Sequence, residues 1–329
     1  MSMTMSQLDE IKAPIREEMR RFESFFKESM KTGIPLLDII LHYIVRRKGK
    51  QMRPMFVFLS ARMLGETNDS TFTAASLIEL LHNATLIHDD VVDKSYRRRG
   101  HFSINALWKS KVSVLVGDYL LSEGLLLAVR NKEYDLLEIV SNAVKEMSEG
   151  ELIQVRNLRK LYISQEEYFN VVKKKTASLI ASCTACGARS VTTDPEVVED
   201  LRRFGEKVGI AFQVKDDLLD YERSGTIGKP AGNDIKEKKV TLPLIYALNN
   251  AGDKEKKEIK RIFGRSRKNG RDINKVIEFV RENEGLQHAR NTMMATKEEA
   301  LRILEPYAAD NNGYNSLVKL VNFTVTRNK

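Results

Sequence analysis

The chain has 329 residues, a hydrophobic fraction of 42%, a charged fraction of 30% and a formal net charge of +9, a balance that can bury a sizeable core and keep the surface wet. Its only two cysteines, Cys183 and Cys186, exclude a disulfide framework; they lie in a small-residue run with no strand before it, so packing inside a helix is expected rather than a redox motif or a four-ligand zinc site. No apolar run reaches the roughly 18 uncharged residues of a membrane span, and the opening MSMTMSQLDEIKAPIREEMRR lacks the apolar stretch of a signal peptide, so a reducing cytoplasm is the expected location.

No proline occurs between Pro54 and Pro195, and the residues between are rich in Leu, Ala, Glu and Lys, which predicts a run of helices. In chain order the first predicted helices span 5–30, 34–46 and 54–64, the last with Pro54 in its first turn. The next, 70–94, carries Leu77, Leu80, Leu81, Ala84 and Ile87 on one apolar face. It ends in His88-Asp89-Asp90-Val91-Val92-Asp93. Helices at 103–129, 132–155 and 165–190 follow. Asp194-Pro195 then opens a helix over 195–221, which ends in Lys215-Asp216-Asp217-Leu218-Leu219-Asp220. The segment 221–240 is irregular, and a loop of that length is expected to be functional. Helices at 240–250, 253–263, 272–284, 286–309 and 313–326 complete the chain, with a breaker at 263–272. Nothing alternates as a strand does, so the fold class is all-α, in a single domain over 1–329.

The two Asp-Asp-x-x-Asp motifs dominate the chemistry. Residues four apart share a helix face, so Asp89 projects with Asp93 and Asp216 with Asp220. Like charges in that relation repel, and the carbonyl end of a helix is already negative. Arriving cations remove the conflict. A few hard oxygens that leave sites for water and phosphate suit Mg²⁺, and two such motifs read as metal–diphosphate clamps facing one another. Basic residues surround them: Lys94, Arg97, Arg98 and Arg99 after the first motif, Lys229, Lys236, Lys238 and Lys239 after the second, and Lys50, Arg53 and Lys173 to Lys175 elsewhere. Arg in particular offers bidentate contacts to phosphate. The acidic clusters argue against nucleic acid as the reason for the positive charge. The stretch Ser224 to Pro230 is not a P-loop, because Arg223 stands where its first glycine would be and Pro230 replaces its Ser or Thr. The five histidines show no metal-binding spacing.

Together these segments resemble the trans-type polyprenyl diphosphate synthases. The likeness runs through GKQMRP at 49–54, ELLHNATLIHDDVVD at 79–93, RRG at 98–100, GDYLL at 117–121, KT at 175–176, FQVKDDLLD at 212–220 and GKPAGNDIKEKKVTLP at 228–243. One departure is Lys48 where the family has the first of two glycines. The resemblance implies a single-domain orthogonal helical bundle around a deep central cleft, of the isoprenoid synthase type, as a homodimer. It implies Asp89, Asp93 and Asp216 as Mg²⁺ ligands, several ions in all, with Asp90, Asp217 and Asp220 close by. It implies Lys50, Arg53, His82 and Arg99 for isopentenyl diphosphate, and Arg98, Lys175, Thr176, Gln213, Lys229 and Lys239 for the allylic diphosphate. Asp89, Asp93, Asp216, Lys175 and Lys229 would carry catalysis. The expected reaction ionises the allylic diphosphate, with metal and basic groups stabilising the departing anion. Membrane contact would be peripheral, through the lipid product.

Product length should depend on the residues before Asp89. Short-chain members of the family often carry bulky aromatics there; Ala84 and Thr85 stand here, with Leu81 one turn deeper. Small residues predict a long product, C35 or more, such as a quinone side chain. The alternatives are a short-chain (farnesyl or geranylgeranyl) synthase, a class I terpene cyclase, whose second motif is usually of an Asn/Ser/Glu type, and a non-catalytic partner of a synthase.

Overall fold

The computed structural model describes residues 2–46, 49–98, 100–157, 163–222, 232–265, 267–308 and 312–326. Almost all of them are helical. They group into two compact units, one of Met1–Val144, Ala181–Arg202 and Leu304–Leu320, the other of Lys145–Ile180, Arg203–Ile303 and Val321–Lys329.

The first unit begins with α1 (Ser2–Lys12) and α2 (Arg16–Glu28), separated by a 3₁₀ turn over Ala13–Ile15. One helix over 5–30 was expected. Pro14 lacks the N–H that would continue the helix and crowds the preceding turn, so the chain breaks there. Then come α3 (Pro35–Arg46), α4 (Met52–Leu64), α5 (Asp69–Val92) and α6 (Ile104–Arg130). A short hairpin pairs Arg97 with Phe102 and Arg98 with His101. The sequence predicts no strand, because two residues a side are too few to show a period of two. Phe22, Phe58 and Phe72 pack ring against ring, with Phe26 stacked on Phe22. That aromatic cluster joins α2, α4 and α5.

Helix α6 departs from expectation once: it is broken at Lys109, whose φ is +67°. By length and composition alone it is long and apolar enough to cross a membrane, yet it holds no run of 18 uncharged residues. Asp118 and Glu123 interrupt the apolar run, and Val116, Leu120 and Ala128 are buried. α6 lies along α5. Gly117 and Gly124 allow the approach: a Cβ on Gly117 would sit 2.2 Å from His88 Nε2, and one on Gly124 would touch Leu81 at 3.3 Å.

Helices α7 (Tyr134–Asn157), α8 (Gln165–Val172), α9 (Ser178–Arg189) and α10 (Pro195–Tyr221) follow. The expected helix over 165–190 is interrupted by a π-helical turn, Lys173–Ala177. Cys183 and Cys186 are fully buried on α9, and burial pushes the Cys183 thiol up to about 12. In the second unit α11 (Asn233–Lys236) lies inside the segment expected to be irregular; α12 (Leu242–Asn250), α13 (Asp253–Gly264), α14 (Gly270–Glu282), α15 (Gly285–Leu304) and α16 (Asn312–Thr326) end the chain. Tyr221, Ile235, Leu244, Phe263, Ile273, Val276 and Phe279 form one buried cluster of this unit. Tyr168, Ala177, Val214, Leu218 and Leu242 belong to another, which seats α8 and the C-terminal part of α10 together.

Candidate active site

In the first unit the chemistry hangs on α5. Asn68 and Thr71 start this helix with a reciprocal cap: the Thr71 N–H donates to Asn68 Oδ1 at 3.1 Å and the Asn68 N–H to Thr71 Oγ1 at 3.2 Å. Twenty-four residues later the last turn carries no basic side chain, so nothing within the helix offsets the aspartates at its negative end. Asp89 and Asp93 are both exposed, and the Asp93 N–H donates to the Asp89 carbonyl at 2.8 Å.

Asp90 faces the other way. It is 5% exposed and accepts from Arg98 Nε at 2.9 Å. Its carbonyl accepts from the Ser95 N–H at 2.9 Å and from Asn105 Nδ2 at 3.3 Å. Asp90 and Arg98 therefore tie the hairpin and the start of α6 to the end of α5. His88 Nε2 lies 3.3 Å from both the Val114 carbonyl and Asp118 Oδ1.

Arg53 and His82, both expected at the isopentenyl diphosphate site, are in contact. One guanidinium nitrogen donates to Glu79 Oε1 at 3.0 Å, and another meets His82 Nε2. Glu79 was missed in the sequence, although it lies one turn before His82. Lys50 is exposed just ahead of α4, next to Gln51, whose φ of +54° is unusual for a residue other than glycine. Ala84 and Leu81 are each 2% exposed. Thr85 is half-buried and donates its hydroxyl to the His82 carbonyl at 2.9 Å. A groove lined by Arg20, Arg21, Phe25, Asp69 and Phe72 opens at the other end of α5, away from these residues.

In the second unit the π-helical turn carries Lys175 and Thr176. Two glycines make room for its widened backbone: a Cβ on Gly150 of α7 would sit 2.7 Å from the Lys175 nitrogen, and one on Gly209 of α10 would sit 2.5 Å from Ala177 Cα. Lys175 Nζ donates to Gln154 Oε1 at 3.1 Å and pairs with Glu151. Thr176 donates to Gln213 Oε1 at 2.9 Å, and Gln213 Nε2 donates to Asp217 Oδ1 at 2.9 Å. Tyr168 completes the chain, donating to Asp217 Oδ2 at 2.6 Å. Burial pushes Asp217 up to about 7 against the pull of its two donors, and burial beside Asp217 raises the Tyr168 phenol well above its ordinary range.

Asp216 is exposed. Asp220 instead caps α11, accepting the Asn233 N–H on Oδ1 and the Asp234 N–H on Oδ2, each at 3.0 Å. Asp234, missed in the sequence, is raised to about 6 by burial and by Asp220. Lys239 Nζ lies 2.6 Å from Glu237 Oε2. Arg99 and Lys229 lie outside the described residues.

Among the described residues no three His, Cys, Asp or Glu side chains converge as a ready-made metal cage. The donors still fit a hard cation. Asp89 and Asp93 in the first unit, and Asp216 in the second, each present an exposed carboxylate, a hard oxygen donor of the kind that Mg²⁺ takes alongside water and phosphate. Asp90, Asp217 and Asp220 have oxygens engaged by protein donors.

Comparison with known proteins adds the following. The family profile described as polyprenyl synthetase matches residues 34–280. The octaprenyl diphosphate synthase of Escherichia coli is 32% identical over 329 residues, covering 99% of this chain and 100% of that one. The crystal structure of a polyprenyl synthase from Caulobacter crescentus, complexed with calcium and isoprenyl diphosphate, superimposes with a TM-score of 0.88 at 32% identity, covering 97% of this chain and 98% of that one. A geranylgeranyl pyrophosphate synthase from Bacteroides thetaiotaomicron superimposes with a TM-score of 0.83 at 37% identity, covering 98% of this chain and 100% of that one.

Proposed function

We infer the reaction from one premise: the chain belongs to the polyprenyl synthetase family. It is a prenyltransferase with the all-α isoprenoid synthase fold. The proposed reaction condenses isopentenyl diphosphate with an allylic prenyl diphosphate and yields a long all-trans chain, C35 or longer. The proposed working form is a cytoplasmic homodimer in which residues 1–329 act as one catalytic domain.

The exposed Asp89–Asp93 pair at the carbonyl end of α5 carries the proposal. With Asp216 it would hold Mg²⁺. The bound ions would supply Lewis-acid stabilisation to the departing diphosphate. The chain's own groups do the remainder. Lys50, Arg53 and His82 are the proposed isopentenyl diphosphate site, and the contact between Arg53 and His82 supports that grouping. Lys175, Thr176 and Gln213, with Arg98, Lys229, Lys239 and Arg99 in their expected roles, would bind the two anions. The proton lost after coupling needs no side-chain base, because the released diphosphate can accept it.

The long-chain reading is supported by the small Ala84 and Thr85 and by the likeness to an octaprenyl synthase. The short-chain alternative is supported by the likeness to a geranylgeranyl synthase. Dimerisation is supported by α6, on which Val114, Leu115, Leu125, Leu126 and Val129 are each at least 40% exposed, an apolar stripe of the kind that partners cover.

The test supplies farnesyl diphosphate, isopentenyl diphosphate and Mg²⁺ and sizes the product by mass. Products of 35 carbons or more are expected. Elongation that stops at 20 carbons, or extension of geranyl diphosphate to 15 carbons with none of farnesyl diphosphate, would establish the short-chain alternative, and a hydrocarbon formed without isopentenyl diphosphate would establish a cyclase.

A further inference from the structure

The hydrogen bonds around Asp217 point to a residue with no role so far. Tyr168 is buried on α8, and its hydroxyl lies 2.6 Å from Asp217 Oδ2. From there the bonds run in one direction only. The Tyr168 hydroxyl and the Gln213 amide both donate to Asp217, Gln213 presenting its Nε2 to Oδ1 at 2.9 Å. That fixes the amide orientation and leaves Gln213 Oε1 as the acceptor of the Thr176 hydroxyl, at 2.9 Å. Thr176 sits on the π-helical turn beside Lys175, and Asp217 is the neighbour of Asp216. The relay therefore couples the rotamer of an exposed aspartate's neighbour to the side-chain orientation of the π turn. π turns inside helices recur at functional sites, where they re-aim side chains.

We propose that Tyr168 is a positioning residue for the allylic diphosphate site, holding Asp217, Gln213 and Thr176 in the one arrangement that aims the π turn at its substrate. The proposal rests on the allylic-site reading of Thr176 and Gln213. Without the phenol, Asp217 Oδ2 has lost its donor and the carboxyl group can rotate, which moves the acceptor that holds Gln213 Nε2. Thr176 then loses its fixed acceptor. The loss falls on ground-state binding of the allylic substrate as well as on turnover, because both need Thr176 and Gln213 aimed together.

The experiment compares full-length wild type, Tyr168→Phe and Tyr221→Phe. Tyr221 is a second buried tyrosine, whose hydroxyl lies 2.8 Å from Thr241 Oγ1, so it controls for the loss of a buried phenol hydrogen bond. Two readouts are taken: KM and kcat for each substrate, and the Kd of farnesyl thiolodiphosphate, an unreactive allylic analogue, by calorimetry with Mg²⁺. Tyr168→Phe is expected to weaken analogue binding and raise the allylic KM at least fivefold, with the isopentenyl diphosphate KM within twofold of wild type. Tyr221→Phe is expected to lower thermal stability without that KM split. If Tyr168→Phe binds and turns over as wild type does, or shifts both KM values equally, the positioning role is overturned. If wild type neither binds the analogue nor makes product, the allylic-site reading fails first and the proposal falls with it.

Discussion

Arg98 Nε donates to Asp90 Oδ1 at 2.9 Å, and this bond divides the first aspartate motif into an inward anchor and an outward pair. Asp90 is buried, whereas Asp89 and Asp93 are exposed. Neighbouring aspartates should therefore respond differently to the same substitution. Asp90→Ala removes the acceptor for Arg98, whose side chain is 39% exposed and rehydrates easily, so the expected cost is about 1–2 kcal/mol of folding stability. Asp89→Ala removes a repelling partner of Asp93 at the negative helix end, so stability should stay within about 0.5 kcal/mol of wild type while turnover falls by about 10³. Urea unfolding and product assays on both variants measure the contrast. Equal stability losses would refute the division of roles.

The π turn makes a second test. Gly150 and Gly209 flank it so closely that a Cβ on either would meet its backbone at 2.7 and 2.5 Å. Backbone cannot yield as a side-chain tip can, so Gly209→Ala should cost about 1–3 kcal/mol as overpacking and should reduce turnover beyond that loss by moving Lys175 and Thr176. Gly124→Ala, whose nearest contact is the tip of Leu81 at 3.3 Å, should be milder. Thermal unfolding ranks them; a Gly209→Ala protein as stable and active as wild type would remove the need for a glycine there.

The sequence made the helices and both motifs legible because apolar period and charge are local properties. The family resemblance added which basic residues belong together. The division within each motif was not legible. Asp89 and Asp90 look alike in sequence, and only the position of Arg98 eight residues on shows that one is an anchor. Asp217 and Asp220 likewise find their partners in Tyr168 and in the start of α11, the latter inside a segment that sequence alone read as irregular. Spacing that serves a metal also serves a hydrogen-bond network. The π turn was hidden for a related reason: the room it occupies is left by two glycines on other helices, which the sequence of one helix does not connect. Pro14 is legible in the sequence as the residue that separates α1 from α2.

Cys183 offers a check on the core. Burial raises its thiol to about 12 and raises the Cys186 thiol well above its ordinary value. A raised thiol pKa means that the neutral, unreactive form dominates at pH 8. Iodoacetamide should therefore leave both cysteines unmodified in the folded protein and label both in urea, as read by intact mass. Rapid labelling of the native protein would show that α9 is not packed as described.

Product length has its sharpest test in two adjacent residues of α5. Ala84 is 2% exposed, on the same face as Leu81 and Leu77, which α6 covers closely enough that a Cβ on Gly124 would touch both. Thr85 is half-buried, its hydroxyl turned back to the His82 carbonyl. A phenylalanine at 84 must displace packed neighbours, at about 1–3 kcal/mol. A phenylalanine at 85 loses one hydroxyl bond, worth about 1 kcal/mol, and meets less packing. If the growing chain runs past this part of α5, both substitutions should shorten the product, with Ala84→Phe the less stable protein. Mass spectrometry of the products, with thermal unfolding of the same samples, separates the two residues. Shortening by Thr85→Phe alone would make Thr85 the gate and Ala84 a packing residue. Unchanged products from both would place the floor of the product pocket on another helix.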